Sequence, residues 1–300
     1  MKPIEEQPVK PKRRRWFRFS LKSMLLLVAL AAVPMSFIPK IQRARNQRQV
    51  VEMLDHLGNT VPVWVAYDYQ IKDSLNGISE ETRMPTGSAA RQLPMVVPPA
   101  PVPKWSFGLL DKEYFYDVVE VHISRRWPLL GIDGLIVHIA TLPKVRSVTL
   151  TTQNELTADD LAPLSQMHNL KKLTLGVVTD KSLEHISQLV RLESLDILNS
   201  IRLPMNDRGA IQITDEGLPH IAKLPNLRSL KLRNGHFGLS SGENCTMVSD
   251  EGLVHLYGLK NLEFLRINSP QITQAGIDNL QMALPNCEIL WNKKDLSDSE

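Results

Sequence analysis

An apolar pattern, L-x-x-L-x-L with Val or Ile allowed at its leucine positions, recurs six times between residues 118 and 267. Successive copies begin 27, 25, 22, 35 and 35 residues apart. Self-similarity at such a period is typical of repeat proteins, in which each unit contacts only its neighbours. The chain is therefore constrained to a stack of similar units. The copies begin at Val118, Val145, Leu170, Leu192, Leu227 and Leu262, and a truncated copy, Cys287 with Leu290, follows.

A stretch with leucines at helical spacing precedes each copy from the second onward. Four examples are residues 157–169, 179–191, 214–226 and 249–261. Thr or Ser opens each of these as a helix N-cap, and acidic residues fill the first turn, where the helix dipole favours them. One short strand and one helix cannot bury their own apolar side, whereas stacked copies bury a continuous core. The sequence predicts an α/β solenoid with a parallel sheet on the concave side and helices on the convex side.

This pattern resembles the leucine-rich repeat family, and the whole chain looks like membrane-anchored bacterial leucine-rich repeat proteins. Residues 284–291 look like the closing cap strand of such domains. The chain departs from the family in two respects: the usual Asn after the strand is clear only at Asn154, Asn199 and Asn234, and two units are ten residues too long. The resemblance implies a protein that binds partners, and it supplies no catalytic residues.

An uncharged apolar run occupies residues 23–39, between Lys22 and Lys40. Its 17 residues reach the short end of the length of about 17–25 that a membrane-spanning helix needs. A transmembrane anchor is expected, and a cleaved signal peptide or a buried soluble helix remains the alternative. Residues 1–48 carry twelve Lys and Arg against two Glu, and most of the basic residues precede the run. The positive-inside rule then predicts a single-pass protein with a cytoplasmic tail, residues 1–22, and an extracytoplasmic repeat domain.

The middle of the chain is predicted to join the membrane segment to the repeats. Residues 40–70 form a helix–strand segment, with the helix over 41–57 and the strand over 61–69. A Pro-rich linker, 71–104, follows and favours an extended conformation. Residues 105–117 are expected to cap the repeat domain, 118–291, after which a polar tail, 292–300, ends the sequence.

The concave sheet face is the first candidate binding surface. Residues between the inward leucines alternate to this face, and the last two full units bring large basic and aromatic side chains together there. They form either an anion- or acidic-protein-binding surface with an aromatic anchor or an ordinary solvated face. The candidate residues are Lys231, Arg233, Phe264 and Arg266, with Lys172 and Asp196 further along the face.

Two insertions, residues 201–210 and 235–245, follow the strands of successive units and make these units longer. Repeat insertions map to loops on one rim and often bind partners, although a packed structural elaboration is equally consistent. Asp207, His236 and Glu243 could also serve as acid–base groups of a remote hydrolase alternative. The candidate residues here are Arg202, Asp207, Arg208, His236, Phe237 and Glu243.

The sequence contains no recognisable catalytic or cofactor-binding motif. His185, His220 and His255 occupy equivalent helix positions, but neighbouring helices lie about 10 Å apart, too far for one shared metal ion. Cys245 and Cys287 are too few for a zinc site, and a single disulfide remains open. We expect no enzyme, cofactor or metal site.

Partner binding is the function that these observations favour. Residues 49–300 carry 23 basic and 30 acidic residues, so the pI of about 8.8 reflects the tail and gives no reason to expect nucleic-acid binding. The predicted partner is an unknown protein or an anionic ligand. A structural scaffold or spacer of a surface assembly is the alternative.

Overall fold

The computed structural model describes residues 21–58, 63–68, 112–124, 134–198, 213–233 and 246–291. Side chains are not described for residues 21–36, 57–58, 63–64, 124, 152–154 and 233. Contacts divide the chain into two units, residues 1–43 and residues 44–300. Helix α1, Leu21–Gly58, begins in the first unit and ends in the second.

The predicted membrane span, residues 23–39, lies within α1. Among the described residues, no helix combines the length and the apolar character that crossing a bilayer requires. The transmembrane helix and the sidedness of the repeats therefore stay predictions. The Pro-rich linker, 71–104, and the polar tail, 292–300, lie outside the described residues.

The second unit contains an eight-stranded sheet in which the strands follow their order in the chain. Strands β2 to β8 are parallel, and each pairs with the next, whereas β1 pairs antiparallel with β2. The predicted parallel sheet is confirmed. Its strands are β1 (Val63–Tyr67), β2 (Val118–Ser124), β3 (Ser147–Leu156), β4 (Lys172–Val178), β5 (Ser194–Leu198), β6 (Ser229–Arg233), β7 (Phe264–Ile267) and β8 (Glu288–Trp291).

The repeated apolar residues form the core. The three apolar positions of all six predicted full copies are at most 2% exposed. In register, Leu173, Leu195, Leu230 and Leu265 stand side by side on successive strands. Because strand side chains alternate between two faces, this inward row fixes which residues lie on the opposite, exposed sheet face.

The helices are much shorter than the thirteen-residue stretches that the leucine spacing predicts. Most are a single α-helical turn, and among the described residues two continue as 3₁₀ helix, Ala162–Gln166 and Val254–Gly258. Pro163 lies at the start of the first of these, where its missing N–H removes a helix donor. The remaining α-helices are α2 (Lys112–Phe115), α3 (Leu135–Ala140), α4 (Ala158–Leu161), α5 (Leu183–Ile186), α6 (Leu218–Ile221), α7 (Asp250–Leu253) and α8 (Gln274–Ala283).

Residues from 44 onward in α1 close the beginning of the core, together with β1. Leu54 is fully buried in the same apolar cluster as Val118 and Val121 of β2. The buried Gln47 amide donates to the Tyr116 carbonyl at 2.8 Å and accepts from the Val118 N–H at 3.3 Å. The described residues of the predicted helix–strand segment from 44 onward thus belong to the second unit, and only residues 112–117 of the predicted cap, 105–117, are described.

The last strand corrects one part of the predicted repeat. The L-x-x-L-x-L pattern aligns Cys287 and Leu290 with the inward leucines of the earlier copies. In the structure, however, β8 pairs Ile289 with Leu265 and places Leu290 beside Arg266. The final unit is one residue shorter between its first two inward positions, so Ile289 takes the place that the spacing assigns to Leu290. Leu290 therefore lies on the exposed sheet face.

Side-chain hydrogen bonds from Asn residues connect neighbouring units at the turns before β4, β6 and β7. Asn side chains at equivalent positions donate to a backbone carbonyl of the preceding unit, which satisfies an acceptor that the turn leaves open. These bonds lock each unit to the one before it. The pairs are Asn169 with Pro143 at 2.9 Å, Asn226 with Val190 at 2.7 Å and Asn261 with Pro225 at 2.8 Å.

Candidate functional site

The exposed sheet face carries two columns of side chains that run across the strands. Parallel strands lie about 4.8 Å apart, so neighbours in a column can share one ligand. From β2 to β8, the first column is Glu120, Ser147, Lys172, Ser194, Ser229, Phe264 and Glu288. The second column is His122, Thr149, Thr174, Asp196, Lys231, Arg266 and Leu290.

Three of the predicted residues come together on β6 and β7, and we call Lys231, Phe264 and Arg266 the basic patch. Lys231 pairs in register with Arg266, and Phe264 lies two residues before Arg266 on the same strand face. The Lys231 Nζ lies 5.5 Å from the centroid of the Phe264 ring, within range of a cation–π interaction. All three side chains are half-buried, so the patch presents cationic and aromatic groups in a partly fixed arrangement.

The other predicted residues of this face do not all join the patch. Asp196 stands next to Lys231 in register and so borders the patch with a carboxylate. Lys172 lies on β4, two strands from β6, where it acts electrostatically on Glu120 instead. Arg233 ends β6 beside Leu198, but its side chain lies outside the described part of the structure.

The beginning of the sheet face holds two titratable residues that the sequence reasoning missed. Burial raises the pKa of Glu120, an effect that the charge of Lys172 partly opposes. Burial lowers the pKa of His122. Both residues fill the same columns as the predicted site, and extending the columns back to the first copy would have found them. This end of the face therefore favours uncharged groups, unlike the basic patch.

Ion pairs line the edge of the sheet just before the strands. Lys171 Nζ lies 2.6 Å from Glu193 Oε1, and Arg228 Nη1 lies 2.8 Å from Glu263 Oε1. The hydrogen bond from Lys171 lowers the pKa of Glu193. Because these side chains are largely exposed, such pairs contribute little to stability. Their positive charges are matched by acids of neighbouring units.

The insertion residues Arg202, Asp207, Arg208, His236, Phe237 and Glu243 all lie outside the described residues. The described residues that flank the two insertions are nevertheless paired between units. Strands β5 and β6, which precede the insertions, are paired, and Thr214 forms a parallel bridge with Met247 after them. The Met247 N–H donates to the Ile213 carbonyl at 3.0 Å. Contact between the two insertions, and a binding or hydrolytic role for them, stay predictions.

Potential metal ligands do not converge within the described residues. No group of three or more His, Cys, Asp or Glu side chains there is arranged to hold a metal ion. His185 lies on α5, His220 on α6 and His255 on the 3₁₀ helix that follows α7. Cys287 is a buried free thiol, and burial raises its pKa to about 11. Cys245 lies outside the described residues.

Comparison with known proteins is confined to solved structures, because no protein-family model and no curated protein matches the chain. Internalin C2 from Listeria monocytogenes aligns at 19% identity with a TM-score of 0.37, over 60% of this chain and 75% of that one. A leucine-rich repeat protein from Leptospira interrogans aligns at 19% identity and a TM-score of 0.31, over 55% of this chain and 40% of that one. A second internalin from Listeria monocytogenes aligns at 19% identity with a TM-score of 0.28, over 53% of this chain and 51% of that one.

The fold assignment rests on the chain's own register and burial. Seven parallel strands in chain order, an inward apolar ladder at most 2% exposed in the six full copies, and a helical segment between strands reproduce the predicted repeat. The described residues from β2 to β8 form a solenoid of stacked strand–helix units with a parallel sheet, the fold that the repeated apolar pattern predicts.

Proposed function

We propose that this protein is a non-catalytic binding module whose exposed sheet face takes an acidic segment of a partner protein at the basic patch. The observation that supports this most directly is the placement of Lys231, Phe264 and Arg266 on adjacent strands, with the ammonium group 5.5 Å from the ring centroid. Cationic groups beside an aromatic ring suit a partner that offers carboxylates next to an apolar side chain.

The remainder of the face supports the choice of this end. Ser147, Thr149 and Thr174 are small and uncharged, and the carboxylate of Asp196 on β5 lies between them and the basic patch. An acidic segment is therefore favoured over β6 and β7. On the far side, Glu288 of β8 stands beside Phe264 and limits the patch in that direction.

Binding of a fluorescein-labelled oligoglutamate peptide to the full-length protein tests the proposal. Lys231→Ala combined with Phe264→Ala should weaken binding about tenfold, because each exposed ion pair contributes up to about 1 kcal/mol and the aromatic contact adds to it. Thr174→Ala, on the same face two strands away, is the matched control and should bind like the wild type. Raising the salt concentration should weaken wild-type binding more than binding by the double variant.

Equal affinity of the wild type and the double variant, with unchanged thermal stability, would contradict a role for the patch. A complete absence of binding by every form would instead favour the alternative of a structural scaffold. A labelled oligolysine peptide of the same length measures non-specific attachment.

We also propose that residues 23–39 anchor the protein in a membrane, with the repeats outside the cytoplasm. Support comes from the sequence: an uncharged run of 17 residues follows a strongly basic tail. Carbonate extraction of membranes from cells that express the full chain should leave it in the pellet. Protease added to sealed spheroplasts should then digest the repeats. Release by carbonate would exclude the anchor, and protection from protease would reverse the proposed orientation.

A further inference from the structure

We infer that the acidic end of this chain, residues 295–300, binds the basic patch and competes there with the partner. The inference rests on the proposed function, because it names a second occupant of the same site. It would make the tail an internal regulator of partner binding.

The charge pattern of the tail complements the patch. Residues 295–300 read Asp-Leu-Ser-Asp-Ser-Glu, with three carboxylates and no basic residue, and follow Lys293 and Lys294. Leu296 follows Asp295 in the sequence, so the segment offers an apolar side chain and a carboxylate, groups that suit the Phe264 ring and the Lys231 ammonium. Carboxylates near Lys231 and Arg266 gain charge-assisted contacts, while the leucine covers part of the ring.

The tail also begins close to the patch. Strand β8 ends at Trp291, and the residue before it, Leu290, stands next to Arg266, which in turn stands next to Lys231. Two strand spacings are about 10 Å. Four residues in extended conformation span up to about 13 Å, so Asp295 can reach Lys231. Asp298, three residues further along, has ample length to reach Arg266.

Tethering makes even a weak contact effective. A binding segment on a short linker experiences an effective concentration of about a millimolar. A partner must displace the tail, so the apparent affinity of the partner is the intrinsic affinity multiplied by the fraction of molecules in which the patch is open. A high-affinity acidic partner would still bind, whereas weak anionic competitors would be excluded.

Carbodiimide cross-linking of the full-length protein tests the contact itself. The reagent activates a carboxylate, and the Lys231 amine then forms an amide bond with it. Trypsin should release a cross-linked product that joins residues 229–233 to residues 295–300 from the monomer band, identifiable by mass spectrometry. Lys231→Arg retains the positive charge but supplies no reactive amine, and this variant should lose the product.

Peptide binding tests the competition. The variant Asp295→Asn/Asp298→Asn/Glu300→Gln should bind the labelled oligoglutamate peptide about threefold to tenfold more tightly than the wild type. Ser297→Ala/Ser299→Ala leaves the tail charge unchanged and should match the wild type.

Absence of the cross-linked product from the wild-type monomer, or equal affinities of the wild type and the neutral-tail variant, would overturn the inference and leave the proposed function intact. Formation of the product without peptide binding by any form would support the tail contact and contradict the proposed function.

Discussion

The carboxylate of Asp215 holds Ser249, the residue that caps the helix of the next unit. Its Oδ2 accepts a hydrogen bond from the Ser249 hydroxyl at 2.6 Å, and its Oδ1 accepts one from the Ser249 N–H at 2.8 Å. The Ser249 hydroxyl in turn accepts from the Glu251 N–H and caps α7. One acidic side chain thereby connects two units and orients the start of a helix.

The same two-bond contact recurs in the neighbouring units, and we call it the aspartate clamp. In each case the acid follows a capping Thr or Ser and holds the equivalent capping residue of the next unit. The sequence reasoning explained these acids by the helix dipole alone, which misses their contact with the next unit. The other clamps are Asp180 with Thr214, at 2.6 and 3.0 Å, and Asp250 with Thr273, at 2.6 and 2.9 Å.

Removal of one clamp should destabilise the solenoid. Asp215→Ala leaves the partly buried Ser249 N–H and hydroxyl without their acceptor, and we expect a loss of about 1–3 kcal/mol in the free energy of unfolding. Urea denaturation followed by circular dichroism measures the change. Glu216→Ala alters the adjacent exposed acid and should change stability by less than about 0.5 kcal/mol. Equal effects of the two substitutions would argue against the clamp.

The clamp also explains why glycine occupies the third residue after the capping position. An ideal Cβ at Gly252 would overlap the Asp215 carboxylate. Gly252→Ala should therefore destabilise the protein by about 1–3 kcal/mol, although Ala is the better helix former. Gly258→Ala is the matched control, since a Cβ there meets nothing within 4 Å. A neutral result at Gly252 would mean that the carboxylate moves aside without cost.

A double-mutant cycle separates the steric effect from the loss of the hydrogen bonds. Once Asp215→Ala has removed the carboxylate, the added Cβ at position 252 has space. The two substitutions should therefore destabilise the double variant by clearly less than the sum of their separate effects, with a coupling of about 1 kcal/mol or more. Strict additivity would show that Gly252 is needed for another reason.

A repeated sequence pattern marks the clamp, but its meaning becomes clear only when the alignment of neighbouring units in the structure is known. Thr214-Asp-Glu-Gly and Ser249-Asp-Glu-Gly repeat the same four-residue pattern, whereas the unit at Thr273 keeps its glycine and has Gln274 in place of the acid. Gly276 is needed because Asp250 precedes it in the stack, and an ideal Cβ at Gly276 would overlap that carboxylate. The acid is dispensable at Gln274, because no capping residue of a further described unit follows it.

At the beginning of the stack, one unit has the clamping acid but lacks the glycine. The unit at Thr179 has Asp180, which clamps Thr214, but carries Ser182 where later units have glycine. The unit before it has Ala158 at the acid position, so no carboxylate fills the space above Ser182. The Ser182 hydroxyl instead donates to the Leu156 carbonyl at 2.6 Å. Glycine is therefore needed where the preceding unit supplies a clamping carboxylate, and the acid is needed where the following unit has a capping residue to hold.

The sheet was predictable because the leucine spacing fixes which strand residues point inward. Once the inward residues are known, the alternation of side chains along a strand places Lys231 and Arg266 at the same position of neighbouring strands, on the exposed face. The last unit was mispredicted because Cys287-x-x-Leu290 matches the template although Ile289 is the residue that pairs with Leu265. A pattern of apolar residues cannot distinguish adjacent apolar side chains. The lengths of the helices were overestimated because leucine spacing does not show that most α-helices of the repeats end after one turn.

Glu120 should make stability depend on pH. Burial raises its pKa above the ordinary value of 4.5, so folding favours the protonated form. The corresponding stabilisation is complete below the unfolded pKa and is lost as the pH rises through the higher folded pKa. Glu120→Gln cannot ionise, so its stability relative to the wild type should increase from pH 4 towards neutrality. Urea denaturation at several pH values measures this difference, and a difference that is independent of pH would contradict the prediction.

Cys287 should be unreactive while the protein is folded. Its thiol is buried in the core, and burial raises its pKa to about 11, so little nucleophilic thiolate is present at neutral pH. In a Cys245→Ser background, maleimide at neutral pH should modify Cys287 slowly in the native protein and rapidly in urea. Cys287→Ser in the wild-type background leaves Cys245 as the matched thiol. Rapid native modification of Cys287 would show that the end of the core at β8 opens readily.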